Sequence, residues 1–394
     1  MSLRQLTFFG RVLTKDRLLR NANYVREELP IRIAHRIRDM QTLPYVVLTN
    51  AHLSYVYDLY YSAFEKFSKI KEIKSVEEND HFCAVIRTML QEHLTVIPRL
   101  AMGVIECQSM LSGEKMDTFV NTLLRARISR RVIAEQHLAL TDTFHSCWHF
   151  PDAKMHRDEA VDAIGDVFLR CNASQIVTEC ADRIKHLAKV TYGPATILPS
   201  VSLEGHLEAT FPYILSHLQY IVGELLRNSV QALVETAASD GTAPPPIHVL
   251  ISESPQHVII RISDQGGGIS QEEMKTLFAF SKSRRSKVRL ENFSQVPKMS
   301  ATMQELQTVQ RTSAVTTTER GSHAPGDSLS SLTSRSPSLR LGMGLPMSRV
   351  YAQYWAGSLN IHSLEGYGCD AFLQISKFGN KNEQLSTRAS VDAI

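Results

Sequence analysis

The residues from Val258 to Ile269 constrain the fold more than any other stretch of the chain. Val258, Ile259, Ile260 and Ile262 form a short β-branched run, the composition of a buried strand. The run ends at Asp264 and is followed by Gly266, Gly267 and Gly268. A strand that delivers a carboxylate to its end and then turns through glycines can bring a ligand close to the main chain, because glycine accepts positive φ and has no Cβ. Taken alone, Asp followed by Gly is also an ordinary turn.

Two further stretches favour a binding site. From Tyr220 to Leu233 the pattern is an amphipathic helix, with Ile221, Leu225, Leu226, Ser229, Ala232 and Leu233 on one face. Glu224, Arg227, Asn228 and Gln231 follow the i, i+3, i+4, i+7 spacing of a single polar stripe. Downstream, Leu341, Gly342, Met343, Gly344 and Leu345 lead into a second helix with Pro346 in its first turn. Glycines ahead of a helix N-terminus form a natural phosphate seat, since free backbone N–H groups point outward there.

In this order the three stretches resemble the ATP site of the GHKL superfamily (gyrase, Hsp90, histidine kinase and MutL type). The resemblance implies an α/β sandwich that binds Mg-ATP. By it Asn228 would hold Mg²⁺ with Arg227 beside it, and Asp264 would accept the adenine amino group. Gly266 and Gly268 would pass close to the base, and Gly342, Gly344 and Leu345 would line the phosphates. The P-loop signature, GxxxxGK followed by Ser or Thr, is absent.

The formal charge of +3 is too small to argue for nucleic acid, and no apolar run approaches a membrane span. The six cysteines are scattered without a CxxC, which suits reduced thiols. His145 and His149 flank Cys147 but lack a second half of a metal site. Near the N-terminus Arg4, Arg11, Lys15, Arg17 and Arg20 outnumber the single acid Asp16, with apolar residues between them. That pattern, over residues 1–29, fits a mitochondrial transit peptide or a basic first helix.

From about Ile31 to Lys189 helical patterns dominate, roughly 46–70, 76–110, 117–140 and 160–189, and suggest a four-helix bundle with a kink at Pro98. His137 is the candidate phosphoacceptor if the bundle serves a histidine kinase, though a structural role is expected for it. A narrower resemblance covers most of residues 30–377: Arg32 to Arg38, Leu43 to Tyr45, Ala126 to His137, Glu224 to Asn228, Asp264 to Ile269, Gly344 to Ala352 and Gly366 to Gly368 look like the mitochondrial pyruvate and branched-chain α-ketoacid dehydrogenase kinases. It implies a homodimer in the mitochondrial matrix. Its partners would be a dehydrogenase subunit, as substrate, and a lipoyl-bearing acyltransferase core, as docking site. The expected architecture is α+β: a helical bundle over 30–195, a GHKL α/β sandwich over 196–379 and a polar tail over 380–394. A Ser/Thr-rich disordered insertion is expected at about 290–339.

Glu224 decides the expected chemistry. Four residues before Asn228 on one helix face, it would stand near the γ-phosphate, where a carboxylate can take the proton of an attacking serine hydroxyl. An ATPase that activates water, a histidine-kinase-like protein and a non-catalytic nucleotide-binding regulator are the alternatives. Several residues depart from the family pattern: Arg227 in place of Lys, Arg340 in place of the first phosphate-loop Gly, and Cys369 in place of a Thr near adenine. Tyr220 matches the branched-chain kinase, whereas many pyruvate kinases carry His there.

Overall fold

The computed structural model describes residues 3, 6, 13–149, 163–281, 286–302, 305, 330–331 and 340–377. It divides into a helical unit, residues 7–166 with 279–332, and an α/β unit, residues 1–6, 167–278 and 333–394.

The helical unit is built on four long legs. The first is α1 (Lys15–Gln41), started by the Thr14 hydroxyl accepting from the Arg17 N–H. Leu18, Ala22, Val25, Leu29, Ile33, Ile37 and Met40 recur every three or four residues along it and are buried. From Lys15 onward the basic segment is part of a folded helix, with Leu18, Ala22, Val25 and Leu29 buried along it. Then come α2 (Ala51–Ser68), capped by Asn50, and α3 (Val76–Glu92), capped by Ser75. A 3₁₀ turn at His93–Thr95 joins α3 to α4 (Val96–Glu106), and α5 (Gly113–His149) is the fourth leg. The break expected at Pro98 falls at His93–Thr95 instead; Pro98 sits in the first turn of α4, where its missing N–H costs no helical hydrogen bond. α1 packs on α2, α3 and α5.

Two expectations need correction. The helix expected at 160–189 does not join this bundle; its place as a leg is taken by α1. The insertion expected to lack order from 290 carries structure at its start. A helix at Ser286–Ser294 packs on α4, and Phe293, Val296, Met299 and Ala301 are buried. Glu305 is buried too, its carboxylate accepting from Arg127 at 3.0 and 2.8 Å and from the Ala301 N–H at 2.9 Å. These few apolar residues and one well-bonded carboxylate offset the ordering entropy that an average over the whole stretch makes prohibitive. Residues 306–329, 332–339 and 378–394 lie outside the described residues.

The α/β unit opens with β1 (Val167–Asn172) and α6 (Ala173–Tyr192). Next come β2 (Val201–Gly205), β3 (Thr210–Ile214) and α7 (Leu215–Asp240). β4 (Ile247–Glu253) and β5 (His257–Asp264) follow, then α8 (Gly344–Tyr354), β6 (Ser358–Leu364) and β7 (Gly368–Ser376). The five-stranded sheet runs β2-β4-β5-β7-β6, parallel only between β2 and β4; β1 and β3 pair separately. Register places Ile262 opposite Ala371, Ile260 opposite Leu373 and Val258 opposite Ile375, all buried. Ile259, 37% exposed, points to the other face, so the β-branched run is a half-buried strand with strict alternation. α7 packs on β5, α6 and α8. Because Asp264 ends β5 and Gly344 begins α8, the sheet and its helices bring the glycines and the carboxylate to α7.

Candidate active site

The site is organised along one side of α7. Its apolar face is set by Ile221, Val222, Leu225, Leu226 and Leu233, all buried. That packing fixes the helix and so fixes where its polar residues stand. Glu224 and Arg227, expected on a polar stripe, are 0% and 5% exposed. A solvated helix face does not bury its charges, so the stripe has a different use.

Arg227 Nη2 donates to Glu224 Oε2 at 2.6 Å, which orients the carboxylate. Gly344 stands directly over it. A Cβ added at Gly344 would overlap Glu224 Oε2, and the nearest Arg227 nitrogen would lie 3.5 Å away. Only glycine lets the start of α8 approach the carboxylate this closely. Met343, at the N-cap, makes no side-chain capping bond, so the first turn of α8 offers backbone N–H groups and the positive end of the helix dipole. Gly342 has φ +66°, the left-handed turn that carries the chain into α8. Leu345 is half-buried in the first turn. Arg340, standing in place of a glycine, pairs with Glu235 on α7.

The other end of the site lies about 7.5 Å along α7, five residues at 1.5 Å each, where Ser229 meets Asp264. Ser229 Oγ donates to Asp264 Oδ2 at 2.6 Å, and the Gly266 N–H donates to Oδ1 at 3.1 Å. A Cβ on Gly266 would sit 2.6 Å from Ala232 Cβ, so glycine there allows the turn to touch the helix. Gly267 and Gly268 have φ +84° and +72°. Across the turn Ser363 Oγ accepts from the Ile269 N–H at 2.7 Å and from Cys369 Sγ at 3.4 Å. Burial pushes the Cys369 thiol up, so it serves as a neutral donor. Between the two ends Asn228 is half-buried, and its carboxamide makes no hydrogen bond among the described residues.

The structure therefore gathers Glu224, Arg227, Asn228, Asp264, Gly266 and Gly344 around one helix. Ser229 and Ser363 were not singled out by sequence. Ser229 looked like a small filler of the apolar face, and its one available signal was a hydroxyl on an otherwise hydrophobic stripe.

His137 belongs to the other unit. It is 0% exposed in the helical unit, its Nδ1 receiving Asn21 Nδ2 at 3.0 Å and its Nε2 meeting Asn79 Oδ1 at 3.0 Å. Burial, then the Arg87 charge, holds it down to about 4, so it is neutral, doubly bonded and shut from a phosphate donor. His145 pairs with Asp80 at 2.8 Å; the side chains of Cys147 and His149 lie outside the described residues. Among the described residues no group of three His, Cys, Asp or Glu could hold a metal, and no helix is long and apolar enough to cross a membrane.

Residues 214–377, which hold all the gathered side chains, match the family described as histidine kinase-, DNA gyrase B- and HSP90-like ATPase. Residues 1–168 match the family described as mitochondrial branched-chain alpha-ketoacid dehydrogenase kinase. Pyruvate dehydrogenase (acetyl-transferring) kinase 2, mitochondrial, of Saccharomyces cerevisiae is 31% identical over 95% of this chain and 80% of its own length. The chain belongs to the mitochondrial α-ketoacid dehydrogenase kinase family. The corresponding kinase of Arabidopsis thaliana is 27% identical over 98% of this chain and 92% of its own length. Human isozyme 1 is 27% identical over 95% of this chain and 76% of its own length. This family member is thus a protein kinase with a GHKL ATP-binding domain, and its fold is α+β as expected.

Proposed function

We propose that this kinase transfers the γ-phosphoryl group of ATP to a serine hydroxyl on the dehydrogenase subunit of a mitochondrial α-ketoacid dehydrogenase complex, and so inactivates it. The observation that carries this reading is the buried Glu224 carboxylate, held by Arg227 beneath Gly344 at the start of α8. The first turn of α8, with Gly342 and Gly344, would receive the phosphates, and Asp264 would accept the adenine amino group. Glu224 takes the serine proton as the new O–P bond forms; the bond from Pγ to the bridging oxygen breaks, and ADP leaves with that electron pair.

Mg²⁺ fits the donors present. The half-buried Asn228 carboxamide is a hard oxygen ligand with no competing bond among the described residues, and Mg²⁺ usually takes one or two protein ligands alongside phosphate oxygens and water. Asn228 would hold it, and the ion would supply charge that offsets the phosphates.

The pyruvate dehydrogenase subunit is the favoured substrate, because the relative covering 95% of the chain is named for that enzyme. The match of residues 1–168 to a branched-chain family and the buried Tyr220 keep the branched-chain subunit as the second candidate. We place the kinase in the mitochondrial matrix as a homodimer docked on the lipoyl-bearing acyltransferase core. The test is transfer of labelled γ-phosphate to purified pyruvate and branched-chain complexes in parallel, with Asp264→Asn as control. Label on the dehydrogenase subunit of one complex, lost in the variant, supports the proposal and names the substrate. Phosphate release from ATP with neither complex labelled would replace it with an ATPase.

A further inference from the structure

We infer that Ser229 is a positioning residue for purine selection, acting through Asp264. The inference rests on Asp264 as the adenine acceptor. Each carboxylate oxygen of Asp264 already accepts one bond: Oδ1 from the Gly266 N–H at 3.1 Å, Oδ2 from Ser229 Oγ at 2.6 Å. Two donors on opposite oxygens fix the plane of the carboxylate. What remains is a set of lone pairs aimed in fixed directions.

The two donors are not equivalent. The Gly266 bond is local, two residues along the same turn, and moves with Asp264. Ser229 belongs to α7 and is 6% exposed, wedged among residues that pack the helix on the sheet. It is the one side-chain donor to Asp264 among the described residues. It therefore ties the base-reading carboxylate to the same rigid helix that carries Glu224 and Asn228, so the position of the base and that of the phosphates share one frame. The turn is held independently on its far side: Ile269 N–H donates to Ser363 Oγ and Gly267 N–H to the Tyr367 carbonyl at 3.1 Å. Loss of the Ser229 hydroxyl should release the carboxylate while leaving the turn in place.

The consequence is selectivity. Adenine presents an amino donor to this carboxylate, whereas a 6-oxopurine presents a carbonyl oxygen, which a fixed carboxylate repels. A carboxylate free to rotate binds the first less well and rejects the second less strictly.

The experiment is titration of the full chain with ATP and with inosine triphosphate, alongside kinase assays, for wild type and Ser229→Ala, Ser229→Thr and Asp264→Asn. Ser229→Ala should weaken ATP binding about tenfold, the size of one lost charge-assisted bond. Its ATP-to-inosine-triphosphate ratio should fall, KM for ATP should rise more than kcat falls, and Ser229→Thr, which keeps the hydroxyl, should restore all three. Equal loss of both nucleotides with the ratio intact, or failure of Thr to restore, would mean that Ser229 only fills space and would overturn the inference. So would wild-type binding in Ser229→Ala while Asp264→Asn loses ATP; the adenine assignment would then stand alone. Unchanged binding in Asp264→Asn would instead remove that assignment and the inference with it.

Discussion

Each unit of this kinase buries a carboxylate against arginine, and the two pairs serve different ends. In the helical unit Glu305 lies between Arg127 and Arg131 and also accepts the Ala301 N–H; burial would raise its carboxyl, but the two guanidiniums hold it down to about 2. Glu305 is 2% exposed. In the α/β unit Glu224 is equally buried and is bonded to Arg227, yet what covers it is Gly344, a residue without a side chain at the start of a helix. Burial and pairing alone do not mark a reactive carboxylate. The cover differs: Arg127, Arg131 and the Ala301 N–H fasten Glu305, whereas the residue over Glu224 is a glycine at a helix N-terminus, where the proposed mechanism seats the phosphates.

The comparison can be broken first at the helical side. Glu305→Ala leaves Arg127 and Arg131 buried without their shared partner, and should destabilise the helical unit by about 3–5 kcal/mol in chemical denaturation. Nucleotide affinity should be retained where the protein remains folded. If Glu305→Ala were neutral for stability but weakened ATP, Glu305 would not be the structural member of the pair.

A smaller effect sharpens the contrast through pH. His137 is held neutral by burial, at about 4, against about 6.5 in an unfolded chain. The unfolded state therefore takes up a proton first as pH falls, and stability present above 6.5 is lost progressively between 6.5 and 4, by at most about 3 kcal/mol. Thermal unfolding followed across that range should show the loss, and replacing His137 with an uncharged residue should flatten the slope. Glu305 stays ionised in the native state across this window, so its own contribution is lost mainly below the unfolded carboxyl value of about 4.3 and overlaps only the acid end of the His137 slope.

The smallest expected effect is at Arg340, whose ion pair with Glu235 is 41% and 48% exposed. Arg340→Ala should change unfolding free energy by less than about 1 kcal/mol, because solvent screens such a pair. A larger loss would show that the segment leading into α8 depends on this arginine for its shape.

How much of this was legible in the sequence differs between the units. The α/β unit declared itself, because the β-branched run from Val258 to Ile262, the polar stripe from Glu224 to Gln231 and the glycines at 266–268 and 342–344 each encode local geometry. What the pattern missed there were contacts across elements: Ser229 with Asp264, and Ser363 with Ile269, bring together residues 35 and 94 apart. The strands β1, β2 and β3 were also missed, being short, and β1 has an irregular register between Phe168 and Cys171.

In the helical unit the expectation of four legs chose one wrong member. The arginines and lysine between Arg4 and Arg20 fitted a transit peptide or a basic first helix, so this stretch was not counted as a leg. The buried repeat Leu18, Ala22, Val25, Leu29, Ile33 is a helix face that begins inside that basic stretch. Glu305 was invisible for another reason: its partners Arg127 and Arg131 lie more than 170 residues away in sequence, and nothing local to it signals burial.

The most direct measurement is single-turnover phosphoryl transfer to the dehydrogenase subunit by Glu224→Gln, with nucleotide affinity measured on the same preparation. Glutamine keeps the shape under Gly344 but cannot take the serine proton. A base role predicts transfer slowed on the order of 100- to 10,000-fold with ATP affinity changed little. Transfer at the wild-type rate, or a loss wholly explained by weaker nucleotide binding, would contradict it.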